Sequence, residues 1–318
     1  MAVTFRKAMV TGGAGFIGSH LVEKLVLEGC TVAVLDNLTG GHLINLDSVM
    51  EDITFVQGDI EDEQVLADHI RGCDVVFHQA AIVSVAKTVD QPVFSTQVND
   101  LGTIKVLEAA RRNGVRRVVL ASSSAVYGDT SQLPKIESMV PAPLSPYAIQ
   151  KLTNEYYAQL YYRLYGLETV CLRYFNVYGP RQDPSSTYSG VISIFMTRAI
   201  NGEQPVIYGD GRQTRDFVYV RDVVQANLLA ADHDAAPGRI FNVGNSQSVE
   251  INMLWRMIAD AAGCDRKPAY QDKRDGDIVH SLASIQRAKD LLAFQPMVNM
   301  QAGIRETLAW YRKSIRAE

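Results

Sequence analysis

The sequence predicts an α/β protein, a doubly wound parallel sheet followed by a smaller C-terminal substrate-binding domain. Three observations predict it. Short apolar runs alternate with stretches of helical periodicity through the first half of the chain. A glycine-rich turn stands between the first run and the first helical stretch. Gly and Pro become denser after residue 176, as in Gly179-Pro-Arg-Gln-Asp-Pro and Gly209-Asp-Gly. Alternation of this kind puts helices on both faces of a parallel sheet.

In order, the strand-like runs are 7–11, 31–36, 53–57, 74–78, 116–121 and 168–173, with helices expected over 16–28, 62–71, 98–113 and 146–165. Residues 1–176 are assigned to a dinucleotide-binding domain, and 177–216 with 244–318 to the substrate domain. A helix over 217–232 and a strand over 239–243 are expected to return to the first domain. The aromatic set Tyr156, Tyr157, Tyr161, Tyr162 and Tyr165 lies at helical spacing and is expected in core or subunit packing.

The composition narrows the function classes. With 47% hydrophobic and 21% charged residues, the 318-residue chain has the balance of a globular protein. A net charge of -4 offers no general attraction to nucleic acid or an anionic membrane. No apolar run reaches the ~18 residues of a membrane span. Cys30, Cys73, Cys171 and Cys264 are scattered, which points to small core residues in a reducing compartment. No metal-ligand spacing is present and no signal pattern opens the chain, so a cytoplasmic protein is expected.

The segment Thr11-Gly12-Gly13-Ala14-Gly15-Phe16-Ile17-Gly18 runs from the first strand into the first helix. Glycines there let the backbone approach a pyrophosphate seated on the helix N-terminus. The second strand ends at Asp36, whose carboxylate can accept from ribose hydroxyls and would repel a 2′-phosphate, favouring NAD over NADP. Segments that follow other strands, Gly58-Asp59-Ile60, His78-Gln79-Ala80-Ala81 and Ala121-Ser122-Ser123-Ser124, are expected to face the cofactor, because ligands bind outside the carboxyl ends of such strands.

Tyr147 and Lys151 are four residues apart and share a face if 146–165 is helical. A hydroxyl from the serine run completes a Ser/Tyr/Lys proton-transfer set. A phenol of pKa about 10 is a poor base at neutral pH, and lowering it to about 7 takes about 4 kcal/mol. A nearby ammonium and a cationic nicotinamide both act in that direction.

These residues resemble the extended short-chain dehydrogenase/reductase family along nearly the whole chain, with its Rossmann-type NAD domain. The glycine turn resembles the family's cofactor turn, Asp59-Ile60 its adenine-contacting pair and Tyr147-x-x-x-Lys151 its catalytic pair. Arg173-Tyr-Phe-Asn-Val-Tyr-Gly-Pro-Arg and Arg215-Asp-Phe-Val-Tyr-Val-x-Asp222 resemble signatures of its nucleotide-sugar members. The resemblance implies NAD contacts by Gly12, Gly15, Phe16, Ile17, Gly18, Asp36, Asn37, Asp59, Ile60, Gln79, Ala80, Ala81, Ser122, Tyr147, Lys151 and Tyr174. Dehydratases of the family carry an Asp-Glu pair where this chain has Ser124-Ala125, so their elimination chemistry lacks its acid and base here. Aligned this way, Ser123 takes the catalytic hydroxyl position and Ser124 a substrate contact.

The resemblance is closest to UDP-hexose 4-epimerases, above all those acting on UDP-N-acetylglucosamine. It implies oxidation and re-reduction at the sugar C4 with retained NAD, a homodimer paired through helices 98–113 and 146–165, and a UDP-sugar site formed by Ser84, Ser124, Asn176, Val191, Val206, Tyr208, Arg215, Arg274, Asp277 and Ser281. Enzymes restricted to UDP-glucose and UDP-galactose have a Tyr where Ser281 stands, and a Ser there leaves room for an N-acetyl group. Ser281 is also a suitable N-cap for a helix starting at Leu282. Val83 replaces a lysine found in several UDP-galactose epimerases, which removes a cation from that loop. A UDP-uronate 4-epimerase, another nucleotide-sugar dehydrogenase, and a non-catalytic dinucleotide sensor are the competing expectations.

Overall fold

The structure is a computed structural model that describes residues 3–183, 190–273 and 278–315. Arg274 and Asp277, two of the expected substrate contacts, lie outside these residues.

The chain opens with β1 (Lys7–Thr11), α1 (Phe16–Leu27), β2 (Thr31–Asp36), β3 (Ile53–Gln57), α2 (Glu63–Ile70) and β4 (Val75–His78). It continues through α3 (Val85–Asp90), α4 (Pro92–Thr96), a π turn over Gln97–Leu101, α5 (Gly102–Arg112), β5 (Arg117–Ser123), α6 (Pro146–Tyr165) and β6 (Glu168–Tyr174). Seven strands form one parallel sheet in the order β10-β6-β5-β4-β1-β2-β3, where β10 is Arg239–Val243. Such strands are apolar on both sides, and side chains alternate between two cores. Val10, Val32 and Val34 face one core with α1, whereas Met9, Ala33 and Leu35 face the other with α2 and α5.

Between β6 and β10 lie β7 (Asn176–Tyr178), α7 (Val191–Ile200), β8 (Val206–Tyr208), β9 (Thr214–Tyr219) and α8 (Val220–Asp232). After β10 come β11 (Ser248–Glu250), α9 (Ile251–Ala262), β12 (Ala269–Gln271), α10 (Gln286–Leu292) and α11 (Met300–Ile315). β11-β9-β7 form a second sheet and β12-β8 a third. A separate core gathers Phe195, Met196, Trp255, Leu254, Ile304 and Tyr311 among α7, α9 and α11. Helix α8 packs on β5 and β6, and its C-terminal carbonyls at Ala230 and Ala231 accept from buried Arg117 at 3.0 and 2.9 Å. A guanidinium there satisfies carbonyls that the helix leaves open.

The segment expected as one helix over 217–232 is strand up to Tyr219 and helix from Val220. Phe217, Val218 and Tyr219 are β-prone and pair with Asn176, Val177 and Tyr178, so sheet formation wins over helical periodicity. The helix expected over 98–113 is interrupted by the π turn. Asn99 within it is buried; its amide donates to Ile82 O at 3.0 Å and Gln150 Oε1 at 2.7 Å, and Asn154 donates to its carbonyl. Within the aromatic set on α6, Tyr156, Tyr157, Tyr162 and Tyr165 are exposed and Tyr161 is buried. Among the described residues no helix is long and apolar enough to cross a membrane.

Candidate active site

The sheet changes direction of winding between β1 and β4, and the register aligns strand ends along one edge. Asp36 pairs with Gln57, Thr11 with Leu35 and His78, and Ser123 with Tyr174. The expected cofactor residues therefore lie at the crevice where open α/β sheets hold ligands.

Gly12 and Gly18 in the turn after β1 have no room for side chains. A Cβ on Gly12, at φ +69°, would stand 2.6 Å from Ala80 N, and one on Gly18 would stand 2.1 Å from Gly12 O. Helix α1 starts with neither a side-chain cap nor an acidic residue in its first turn, so its leading N–H groups suit an anion. Asp36 accepts from Ala14 N at 2.9 Å and Leu38 N at 2.8 Å; burial pushes its carboxyl up. Asn37 donates to Asp59 at 2.7 Å, joining two expected cofactor contacts, and Ile60 is buried beside Gly102. Phe16, Ile17 and Ala81 are half-buried around this crevice. These residues fit a dinucleotide.

His78 underlies the turn. Thr103 Oγ1 donates to Asn99 O at 2.6 Å, so it accepts from His78 Nε2–H at 2.9 Å, and Nδ1 accepts from Thr11 Oγ1 at 2.8 Å. Burial, aided by the Lys151 charge, lowers His78 to about 3, and it stays neutral.

The structure brings Ser123, Tyr147 and Lys151 together. Helix α6 begins where expected because Ser145 caps it, accepting from Ala148 N at 3.2 Å, and Pro146 supplies the first position. Lys151 Nζ lies 5.8 Å from the Tyr147 ring centre and donates to Ala121 O at 2.8 Å. Burial lowers this lysine to about 8, against the attraction of Asp100 and Glu155. Burial also pushes the Tyr147 phenol up to about 12, opposed by its hydrogen bond with Ser123. Burial thus dominates the phenol, and Ser123 is the side chain that works against it. Ser123 also accepts from Ala125 N at 3.2 Å, which fixes its hydroxyl at the start of a 3-10 turn over Ser124–Tyr127.

The Ser122 hydroxyl, at an expected cofactor contact, is engaged inside the protein. It donates to Glu155 Oε1 at 2.5 Å. Glu155 also takes two bonds from Arg173, at 2.8 and 2.7 Å, and the guanidinium lies 4.7 Å from the Tyr127 ring centre. Tyr127 donates to Asn242 at 2.6 Å. Tyr174 is held by Asn227, which donates to its hydroxyl at 2.8 Å, and Gln79 joins both at 3.2 Å. Glu155 and Asn227 are additions to the expected site residues. Glu155 has a signal in the sequence, an acid one turn after Lys151 on the buried face, while Asn227 meets its partners only through tertiary structure.

The expected substrate residues occupy several segments. Ser84 caps α3, accepting from Lys87 N at 3.1 Å, and Ser124 is half-buried after β5. Asn176 is exposed in β7, and Val191 opens α7. Val206 and Tyr208 share one face of β8, with Ile207 buried on the other. Arg215 donates to Thr214 O at 2.9 Å and Val279 O at 3.4 Å. Ser281 is buried and its N–H donates to Thr214 O at 3.1 Å, so it lies beside Arg215. It caps no helix: α10 starts at Gln286, because residues 280–284 extend along β9 and residue 135 instead.

Comparison with known proteins agrees with this layout. The family model described as "NAD dependent epimerase/dehydratase family" matches residues 8–244. A putative UDP-glucose 4-epimerase of Methanocaldococcus jannaschii is 41% identical over 97% of this chain and 99% of its own. The structure of a UDP-N-acetylglucosamine 4-epimerase from Methanobrevibacter ruminantium, in complex with UDP-N-acetylmuramic acid, is 41% identical, with a TM-score of 0.94 over 98% of this chain and 99% of that one. A UDP-glucose 4-epimerase of Thermus thermophilus, complexed with NAD, is 38% identical, with a TM-score of 0.87 over 96% and 99%. NAD is the cofactor of such proteins, and the glycine turn, Asp36 and the Ser/Tyr/Lys set meet in the crevice that would hold it. The chain belongs to the NAD-dependent epimerase/dehydratase family, an extended branch of the short-chain dehydrogenases/reductases.

Proposed function

We propose that the protein is an isomerase that inverts the C4 hydroxyl of a UDP-hexose, with UDP-N-acetylglucosamine and UDP-N-acetylgalactosamine as preferred substrates and UDP-glucose and UDP-galactose as further ones. The observation that carries this is the Ser123–Tyr147–Lys151 set at the sheet edge, with Ser124-Ala125 rather than carboxylates beside it. NAD, when bound, supplies a hydride acceptor and a cationic ring. Tyr147 Oη takes the proton of the C4 hydroxyl and later returns it. Ser123 Oγ, already bonded to that phenol, orients the sugar oxygen. Lys151, lowered to about 8, still carries its charge at neutral pH and favours the phenolate.

Inversion requires the sugar to present either face while UDP stays fixed. Asn176, Arg215 and Arg274 are assigned to the UDP, a guanidinium suiting a diphosphate. Val206 and Tyr208 are assigned to the uracil, with Val191 nearby. Ser84, Ser124, Ser281 and Asp277 are assigned to the sugar. Small hydroxyls hold it loosely, and the short Ser281 side chain leaves volume for an N-acetyl group.

The protein is also proposed to act as a homodimer through the helical layer that contains α5 and α6. Val93, Phe94, Leu101, Tyr156, Leu160 and Leu164 are exposed there on one protomer. Exposed apolar side chains gathered on neighbouring helices suit a contact surface.

The test is incubation of purified protein with UDP-N-acetylglucosamine, UDP-glucose or UDP-glucuronate, without added NAD, followed by proton NMR of the sugar. Conversion of the first to its C4 epimer is expected. Conversion of UDP-glucuronate alone, or none with any sugar, sinks the proposal.

A further inference from the structure

Asp216 follows Arg215 in β9 and is completely buried. Its oxygens are taken by backbone N–H groups from two other segments. Oδ1 accepts from Asn245 at 2.7 Å and Oδ2 from Ala283 at 3.0 Å, and the Ser246 N–H adds a further bond. Ser246 Oγ in turn donates to Ala283 O at 2.9 Å. The junction has no spare volume: a Cβ on Gly244 would stand 2.7 Å from the Ala283 Cβ and 3.1 Å from Asp216 Oδ2.

Next to this junction, residues 279–281 run along β9. Thr214 N donates to Val279 O at 3.0 Å and Ser281 N donates to Thr214 O at 3.1 Å. Arg215 and Ser281 therefore flank one point of contact, and Asp216 fastens the chain immediately beyond both. We propose that Asp216 is a positioning residue for the nucleotide sugar, setting the separation of Arg215 from Ser281 by fastening residues 244–246 and 281–283 onto β9. This rests on the assignment of Arg215 to the diphosphate and Ser281 to the sugar. A carboxylate is required because both oxygens face N–H donors. An asparagine would turn an NH2 toward one of them and lose that bond.

The test compares the NAD-containing wild type with Asp216→Asn and Ser246→Gly. The second variant removes the Oγ tie while relieving a backbone at φ 54°. UDP affinity is measured by calorimetry, KM and kcat with UDP-N-acetylglucosamine, and bound NAD by absorbance. Asp216→Asn is expected to raise the UDP Kd and the KM by about 10-fold with kcat changed by less than about 3-fold, bound NAD being unaltered. Ser246→Gly is expected to shift both in the same direction by about 3-fold. Folded variants with wild-type Kd and KM, or with kcat alone reduced, overturn the inference. If Asp216→Asn does not fold, Ser246→Gly decides by the same criteria. A wild type that binds no UDP overturns the substrate assignment underneath instead.

Discussion

Glu155 and Arg173 form a buried, two-bond ion pair at 2.7 and 2.8 Å, one helical turn beyond Lys151. Ser122 donates to the same carboxylate, so β5, β6 and the helix bearing Tyr147 and Lys151 meet at one group. Glu155→Gln leaves the guanidinium buried without its counter-charge. It is expected to lower unfolding free energy by about 3–5 kcal/mol, measured by denaturant titration. A variant within about 0.5 kcal/mol of wild type would show that the pair holds nothing together.

Tyr147→Phe removes the phenol and leaves a ring of the same shape. Turnover is expected to fall by at least about 100-fold, in line with loss of a positioned acid–base group. Thermal midpoint and bound NAD should stay as in the wild type. Near-normal conversion in the NMR assay would exclude this tyrosine as the proton carrier.

His78 makes stability depend on pH in a stated direction. Its pKa is about 3 when folded and 6.5 as an ordinary histidine, so the unfolded chain binds the extra proton between those values. Stability is therefore lost as pH falls from 6.5 toward 3, at up to about 1.4 kcal/mol per unit. Asp216, raised to about 6, acts in the opposite sense between 3.8 and 6. Unfolding free energies of wild type and His78→Gln should diverge in slope over this window, the variant losing less stability, by up to about 1.4 kcal/mol for each unit that the pH falls. Parallel slopes would mean that His78 takes up its proton in the native state.

Ser281→Tyr inserts an aromatic ring at a buried position beside Arg215. It is expected to reduce kcat/KM for UDP-N-acetylglucosamine at least about 10-fold more than for UDP-glucose. Equal loss on both substrates would reject Ser281 as the wall of the acetamido pocket.

The parts of this molecule readable from sequence are those with local causes. The glycine turn into α1 and the Ser145-Pro146 start of α6 each carry their own capping or steric signal. The end of β9 is ambiguous in sequence because Phe217 to Tyr219 satisfy a helical pattern as well as a strand, and only pairing with β7 decides. The π turn at Gln97–Leu101 has no sequence mark; its Asn99 is fixed by Ile82 and Gln150. Ser122 faces inward onto Glu155, a partner distant in sequence, and Ser281 caps nothing because β9 draws residues 280–284 into an extended path.

The position of β10 has a consequence for how the protein can be divided. This strand comes late in the chain yet pairs with β6 over five residues, and α8 covers β5 and β6. A fragment ending at residue 176 would carry most of the dinucleotide crevice but leave β6 as a bare edge with an uncovered apolar face. Open edges of this kind recruit strands from other molecules. Such a fragment should aggregate rather than persist as a free module, so the dinucleotide sheet is complete only once the chain has passed through β10.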